Sequence, residues 1–248
     1  MNCDIWNGDC LDLMPNIAAA SVDLVLCDLP YGTTAPRWDA RLDMTRLWAE
    51  YRRILKPRGT IALFACQPFT TKLIASNEAQ FKYCWYWIKN QGTNFFHARR
   101  MPIRRVEEIC IFGNGTYRPQ VTTGHVPTNS ATGVSAGKVY FGTNRRRAPG
   151  GKTTRYPTNV LEFPCVSNYR RKHNNEKPVA LLEYIVKTYT DEGQLVLDNC
   201  AGSGSTGEAC LKTGRAFILI EKEKEYFEIA VSRCKNKRTI KEEEAFPK

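Results

Sequence analysis

Short apolar runs alternate with helically spaced apolar residues over most of the chain. Residues 22–27, "VDLVLC", form a run broken only by Asp23, the pattern of a strand buried on both faces. Residues 42, 44, 47, 48, 51, 54 and 55 are apolar, which is helical spacing, and "KPRG" at 56–59 ends that helix. Strands are expected at 60–66, 81–88 and 106–112, with a helix over 69–77 between the first two. From 177 the alternation returns: a helix over 178–189 with proline in its first turn, a strand at 194–198, a helix at 206–213, a strand at 216–220 and a helix at 224–234. The residues after 236 read as a frayed charged tail. Strands alternating with helices predict an α/β, doubly wound, mostly parallel sheet.

Between 114 and 157 the periodicity disappears. Gly, Thr, Ser, Asn and Arg dominate, and "RRRAPGGKTTRYP" at 145–157 is strongly basic. The chain therefore divides into residues 1–113, an insertion at 114–157, and residues 158–248.

Charge sharpens this picture. Lys and Arg number 36 against 25 Asp and Glu, a net charge of +11, which favours a polyanionic partner. The basic residues cluster at Arg99-Arg100, Arg104-Arg105, Arg145-Arg146-Arg147 and Arg170-Arg171-Lys172. The ten cysteines contain no CxxC pair and the three histidines offer no standard zinc spacing, so reduced buried thiols and no metal are expected. No apolar run is long enough to span a bilayer and the N-terminal residues do not resemble a signal peptide; a cytoplasmic protein is expected.

Two stretches carry candidate chemistry. "LVLDNCAGSGSTGEACL" at 195–211 runs from a strand through a glycine loop into a helix, with Gly202, Gly204 and Gly207 in GxGxxG spacing. A second strand then ends at Glu221, where an acid is suited to ribose hydroxyls. Too little chain follows for a two-halved dinucleotide domain, so an S-adenosyl cofactor fits this layout better than a dinucleotide. "LCDLPYGTT" at 26–34 places Asp28, Leu29, Pro30 and Tyr31 just where a strand ends. Pro30 keeps Leu29 extended.

In order along the chain, "NGDCLDLM" (7–14), "LCDLPYG", "WYWIKNQGTNFF" (85–96), "RYPTNVLEFP" (155–164), "HNNEKPVALLEYIV" (173–186) and "LDNCAGSGSTG" resemble the motif set of β-class amino-group DNA methyltransferases. The resemblance implies a Rossmann-like methyltransferase sheet with an inserted target-recognition region. It implies a catalytic half at 1–113, target recognition at 114–157 and a cofactor half at 158–248, with S-adenosylmethionine as methyl donor and double-stranded DNA as partner. Asp9, Cys10, Asp28, Lys177, Asp198, Ala201, Gly202, Ser203, Gly204 and Glu221 become the expected cofactor residues. Pro178 joins Lys177 in closing that pocket.

Asp28 and the Leu29 carbonyl become the two acceptors for the N–H groups of a flipped base, with Pro30 shaping the turn and Tyr31 stacking on the ring. Lys89, Asn94, Arg99, Arg100, Arg104, Arg145, Arg146, Arg147 and Arg170 are the expected DNA contacts. Trp87, Lys89, Asn94 and Phe96 are candidates for lining the base pocket, while strand parity assigns half of the aromatics there to the core. Aspartate at 28 is the family's usual choice for adenine N6, serine being commoner for cytosine N4. Leu29 departs from the family's usual proline.

A homodimer and a place in restriction–modification are compatible with the resemblance. Alternatives are an N4-cytosine enzyme, methylation of RNA or a protein amide, a non-catalytic DNA-binding relative, and, on GxGxxG alone, an NAD-linked oxidoreductase.

Overall fold

The computed structural model describes residues 3–31, 42–93, 95–129, 131–135, 144–148, 150–167 and 176–244. The chain forms two compact units, Met1–Arg118 with Asn159–Lys248, and Pro119–Thr158.

The larger unit is an eight-stranded sheet in the order β1-β10-β9-β2-β3-β5-β4-β8. Its strands are β1 (Cys3–Asn7), β2 (Val22–Asp28), β3 (Leu55–Ala65), β4 (Phe81–Thr93), β5 (Arg104–Gly113), β8 (Val160–Glu162), β9 (Leu195–Asp198) and β10 (Ala216–Glu221). Every pairing is parallel except those of β5, which runs against both β3 and β4. The doubly wound, mostly parallel sheet expected from the pattern is therefore present.

Helices cover both faces. The helices α1 (Cys10–Leu13), α2 (Met44–Ile54) and α3 (Phe69–Ala75) pack on one, burying Leu47, Trp48, Tyr51, Ile54 and Leu73 against Val25, Cys27, Ile61 and Leu63. The helices α4 (Val179–Tyr189), α5 (Ser205–Thr213) and α6 (Lys224–Glu244) pack on the other, burying Leu181, Leu182, Ile185 and Cys210 against Leu24, Leu26, Ala62 and Phe64. The period of two along β2 and β3 assigns alternate side chains to these two cores, which is why both strands read as continuous apolar runs.

Two expectations are corrected. "KPRG" does not separate α2 from the next strand: β3 begins at Leu55 directly after the helix, and a register shift between Val22 and Leu24 absorbs the irregular residues. The ion pair of Lys56 with Asp23, 2.8 Å, fastens this segment to β2. The charged tail is helical as far as Glu244, continuing α6; runs of Lys and Glu are good helix formers.

In the smaller unit, β6 (Ala131–Ser135) and β7 (Asn144–Ala148) pair antiparallel, and Thr122 bridges Arg155. Arg145, Arg146 and Arg147 lie on β7. Asn94 and the segment 168–175, with Arg170 and His173, lie outside the described residues.

All ten cysteines are free. Among the described residues, none group to hold a metal ion, and no helix is long and apolar enough to cross a membrane.

Candidate active site

The sheet order reverses between β2 and β9: from β2 the chain proceeds outward to β3, and from β9 outward to β10. In an open parallel sheet such a reversal leaves a crevice at the carboxyl ends of the strands, where ligands bind. Asp28 ends β2 and Asp198 ends β9, so both stretches singled out from the sequence meet at this point.

On the β9 side the glycine loop is held by carboxylates through backbone donors. Asp198 accepts from the Cys200 N–H at 3.1 Å and from the Thr206 hydroxyl at 2.6 Å. Glu221, at the end of β10, accepts from the N–H groups of Gly202 at 2.7 Å and Glu223 at 2.8 Å. Burial pushes the Asp198 carboxyl up to about 6 and raises that of Glu221 as well.

Gly204 caps α5 in the left-handed region, φ 78°, and a Cβ there would lie 2.8 Å from that of Ala230 on α6. A Cβ at Gly207 would meet Cys234 and Leu219 at 2.8 Å. The second and third glycines thus let α5 seat against α6 and β10. Ala201 and Ser203 are buried in this turn. Arg233 of α6 donates to Ser203 and forms ion pairs with Glu176 at 2.8 Å and Glu208 at 2.7 Å, tying the residue before Lys177 to the glycine loop.

Asp9 caps α1, accepting from the Leu11 N–H at 3.0 Å, and pairs with Lys222 at 3.1 Å. Cys10 is buried beside Cys200. Cys27 lies beside Cys200 and Asp198.

On the β2 side the carboxylate is held by side chains instead. The Tyr31 hydroxyl donates to Asp28 Oδ1 at 2.8 Å, and Lys177 Nζ lies 2.6 Å from Oδ2. Lys177 also reaches Glu107 Oε1 at 2.7 Å and sits 4.9 Å from the centre of the Phe64 ring. Lys89 closes the far side of Glu107, 2.6 Å from Oε2.

Strand parity explains the convergence. Asp28 shares a face with Leu24 and Leu26, Glu107 with Ile109 and Ile111, and Lys89 with Trp85 and Trp87, all on the α4 side of the sheet. Burial raises the Asp28 carboxyl, only partly offset by Lys177. For Glu107 burial works the same way, but Lys177 and Lys89 outweigh it and hold the group low. Burial and the two acids keep Tyr31 a neutral phenol, and the acids outweigh burial to keep Lys177 charged.

Leu29 is 3% exposed and packs in the same core as Val25 and Cys27, so the residue replacing the usual proline is anchored by burial. One face of Tyr31 stacks on Phe69, with centroids 4.9 Å apart at 28°. Pro30, Tyr31, Met44 and Phe69 line a cavity of about 140 Å³.

The Lys89 ammonium is largely enclosed with Glu107, beside the Asp28–Lys177 pair. Trp87 is core, its indole N–H bonded to the Phe163 carbonyl at 2.8 Å. Phe96, by contrast, is fully exposed on the β4–β5 connection, with Arg99 and Arg100 exposed there and Arg104 exposed at the start of β5.

Sequence reasoning missed Glu107 and Arg233. For Glu107 a signal existed: in "RRVEEICIFG" it falls on the parity of the core-facing isoleucines.

The chain is 29% identical to the type II methyltransferase M.HpaI of Haemophilus parainfluenzae over 236 residues, covering 89% of this chain and 70% of that protein. It is 25% identical to the DNA adenine methyltransferase YhdJ of Escherichia coli K12, covering 92% and 81%. Among solved structures, the M1.HpyAVI–SAM complex superposes with TM-score 0.61 at 23% identity, covering 93% of this chain and 98% of that one. The cytosine-N4-specific PvuII DNA methyltransferase superposes at 0.66 and 17% identity, covering 94% and 86%. A family model described as DNA methylase, N6_N4_Mtase, matches residues 22–232, and the chain belongs to that family of amino-group DNA methyltransferases.

Proposed function

We propose that the protein transfers a methyl group from S-adenosylmethionine to the N6 amino group of adenine in duplex DNA. The observation that carries this reading is the half-buried Asp28 carboxylate, placed at the crevice with the Tyr31 hydroxyl and the Lys177 ammonium on its two oxygens.

The donor fits the β9 side of the crevice. Gly202 is the partly exposed residue of an otherwise buried turn, and Glu221 keeps lone pairs beyond the two it gives to N–H groups. Asp9, Cys10, Lys177, Asp198, Ala201, Gly202, Ser203, Gly204 and Glu221 would hold the cofactor, with Asp9 at its adenine and Glu221 at its ribose. When bound, that cofactor supplies an electrophilic methyl group.

The protein's own task is to prepare the nitrogen. An exocyclic amine is a poor nucleophile because its lone pair is delocalised into the base. Asp28 and the Leu29 carbonyl accept its two N–H bonds and draw the nitrogen toward tetrahedral geometry. The Tyr31 face not covered by Phe69 is the stacking floor for a base turned out of the duplex. Positioning and fixed charge supply the rate; once the methyl has left the sulfonium as the N–C bond forms, the amine passes its surplus proton through Asp28 to solvent, so no strong base is required.

Aspartate at 28 and the similarity to YhdJ favour adenine. The test is mass spectrometry of nucleosides from DNA incubated with the protein and S-adenosylmethionine. N6-methyladenine is expected; N4-methylcytosine without it would move the assignment to cytosine.

The DNA surface in this reading comprises Phe96, Arg99, Arg100 and Arg104 in the larger unit and Arg145, Arg146 and Arg147 in the smaller. Duplex affinity should fall steeply with salt, and neutralising the three β7 arginines should flatten the log–log slope by about one for each phosphate they neutralise. Fluorescence anisotropy across a salt series checks this, and an unchanged slope removes β7 from the interface.

A further inference from the structure

Accepting the amino group needs one carboxylate, yet the crevice holds two on one ammonium. Lys177 lies 2.6 Å from Asp28 and 2.7 Å from Glu107, with its charge over the Phe64 ring. The cluster contains two acids and two lysines, because Lys89 answers Glu107 on its other oxygen. Glu107 therefore has a counter-ion of its own and does not need Lys177 for neutralisation. Asp28 has both oxygens engaged, by Tyr31 and by Lys177, before any substrate arrives.

A docking amine brings a second donor to an oxygen that already accepts from the ammonium, and its partly positive N–H is repelled by that charge. An ammonium with one acceptor would stay on it. An ammonium with two acceptors can lean toward the second.

We propose that Glu107 is a positioning residue for methyl transfer: it shares the Lys177 ammonium with Asp28, so that Lys177 turns toward Glu107 when the target N–H reaches Asp28. This role rests on the methyltransferase reading above. Glu107 touches no reacting atom; it acts through Lys177 and sets how freely Asp28 accepts.

The charges give the sign of the pH effect. Asp28 faces Lys177, Glu107 and Tyr31, with Cys27 beside it and Asp198 across on β9. Glu107 itself faces Lys177, Lys89 and Tyr31, with Cys66 nearby and Arg104 and Glu108 beyond. Glu107 is a negative charge that makes Asp28 harder to ionise. Removing it lets Asp28 ionise at lower pH, while leaving Lys177 with Asp28 as its remaining carboxylate partner here.

The experiment is single-turnover methylation of duplex DNA by the full chain, as a function of pH, for wild type, Glu107→Gln, Lys177→Met and the double variant. Glu107→Gln is expected to slow the step by about 10- to 100-fold, the scale of a misplaced reacting group. It should also move the acid limb of the rate profile to lower pH. In the Lys177→Met background Glu107→Gln should cost nothing further, the non-additivity of residues acting through one another. Melting temperature and circular dichroism establish that each variant folds.

Should Glu107→Gln not fold, Glu107→Asp decides: charge kept and reach shortened, it should slow the step with the acid limb unmoved. A folded Glu107→Gln with wild-type rate and profile, a Glu107→Asp with wild-type rate, or additive losses in the double variant overturns the proposal. A wild-type protein that methylates no DNA overturns the function itself, and this role with it.

Discussion

Asp28, half-buried, and Glu221, buried, are both acids at the carboxyl end of a parallel strand, yet they are held in opposite ways. Glu221 accepts from two backbone N–H groups, as Asp198 accepts from one, and these donors cannot move without unwinding the turn. Asp28 is held by a lysine ammonium and a tyrosine hydroxyl, both at the ends of rotatable side chains. A carboxylate fixed by backbone is part of the loop's architecture. A carboxylate fixed by side chains has partners that can be exchanged for a substrate's. The crevice thus joins a rigid wall suited to a cofactor to an adjustable one suited to a reacting amine.

The sharpest way to break this contrast is to neutralise each side in turn. Asp28→Asn should lower the single-turnover rate by about 10³-fold, the upper range for losing a group that stabilises the transition state. Cofactor affinity should stay within a few fold. Glu221→Gln should do the reverse, weakening S-adenosylmethionine binding about 10-fold while the rate at saturation changes little. Calorimetry with the cofactor and quench-flow on DNA separate the two. If both variants lose affinity and rate together, the two walls are one unit and the contrast fails.

The rigid wall was legible in the sequence because it is local. The turn, its helix and Glu221 lie within about twenty residues, and strand–glycine–helix spacing is itself the signal. On the adjustable wall Asp28, Tyr31, Lys177 and Lys89 were legible as site residues, but Glu107 and the contacts among them were not. Its members on β4 and β5, Lys89 and Glu107, meet because β5 inserts antiparallel between β3 and β4, and Lys177 joins them from two residues before α4. That pairing is a long-range event no local pattern announces.

Lys89 illustrates the cost. From sequence it reads as a residue near the target-base pocket, but that it sits on Glu107 follows only from strand parity beside Trp87 and the β4–β5 pairing. Leu29 was ambiguous for a related reason: whether it loosens the turn depends on a core pocket, and that pocket is filled by its side chain. The joint between α2 and β3 escaped prediction because a register shift against β2 lets "KPRG" serve as strand.

The smallest expected effect probes the rigid wall alone. The Asp198 carboxyl is raised to about 6 by burial, above its ordinary value near 4 in the unfolded chain. A raised carboxyl pKa means the folded state binds the proton more tightly than the unfolded one. This group's contribution is therefore fully present below the unfolded pKa and is lost as pH rises through about 6. Lowering the pH from 7.5 to about 5 should then stabilise the fold at this site.

Asp198→Asn removes the titration while leaving a carbonyl for the Cys200 N–H and an amide that can donate to the Thr206 hydroxyl. The variant's melting temperature should rise relative to wild type at pH 7.5 by a few degrees and converge with it near pH 5. Asp28 and Glu221 are also raised and titrate in both proteins, so the difference between the two curves isolates Asp198. A variant that melts lower than wild type across the whole range would mean the ionised carboxylate is needed to hold the glycine loop. The backbone donor at Cys200 would then be insufficient to fix this wall, and its rigidity would depend on charge as the Asp28 side does.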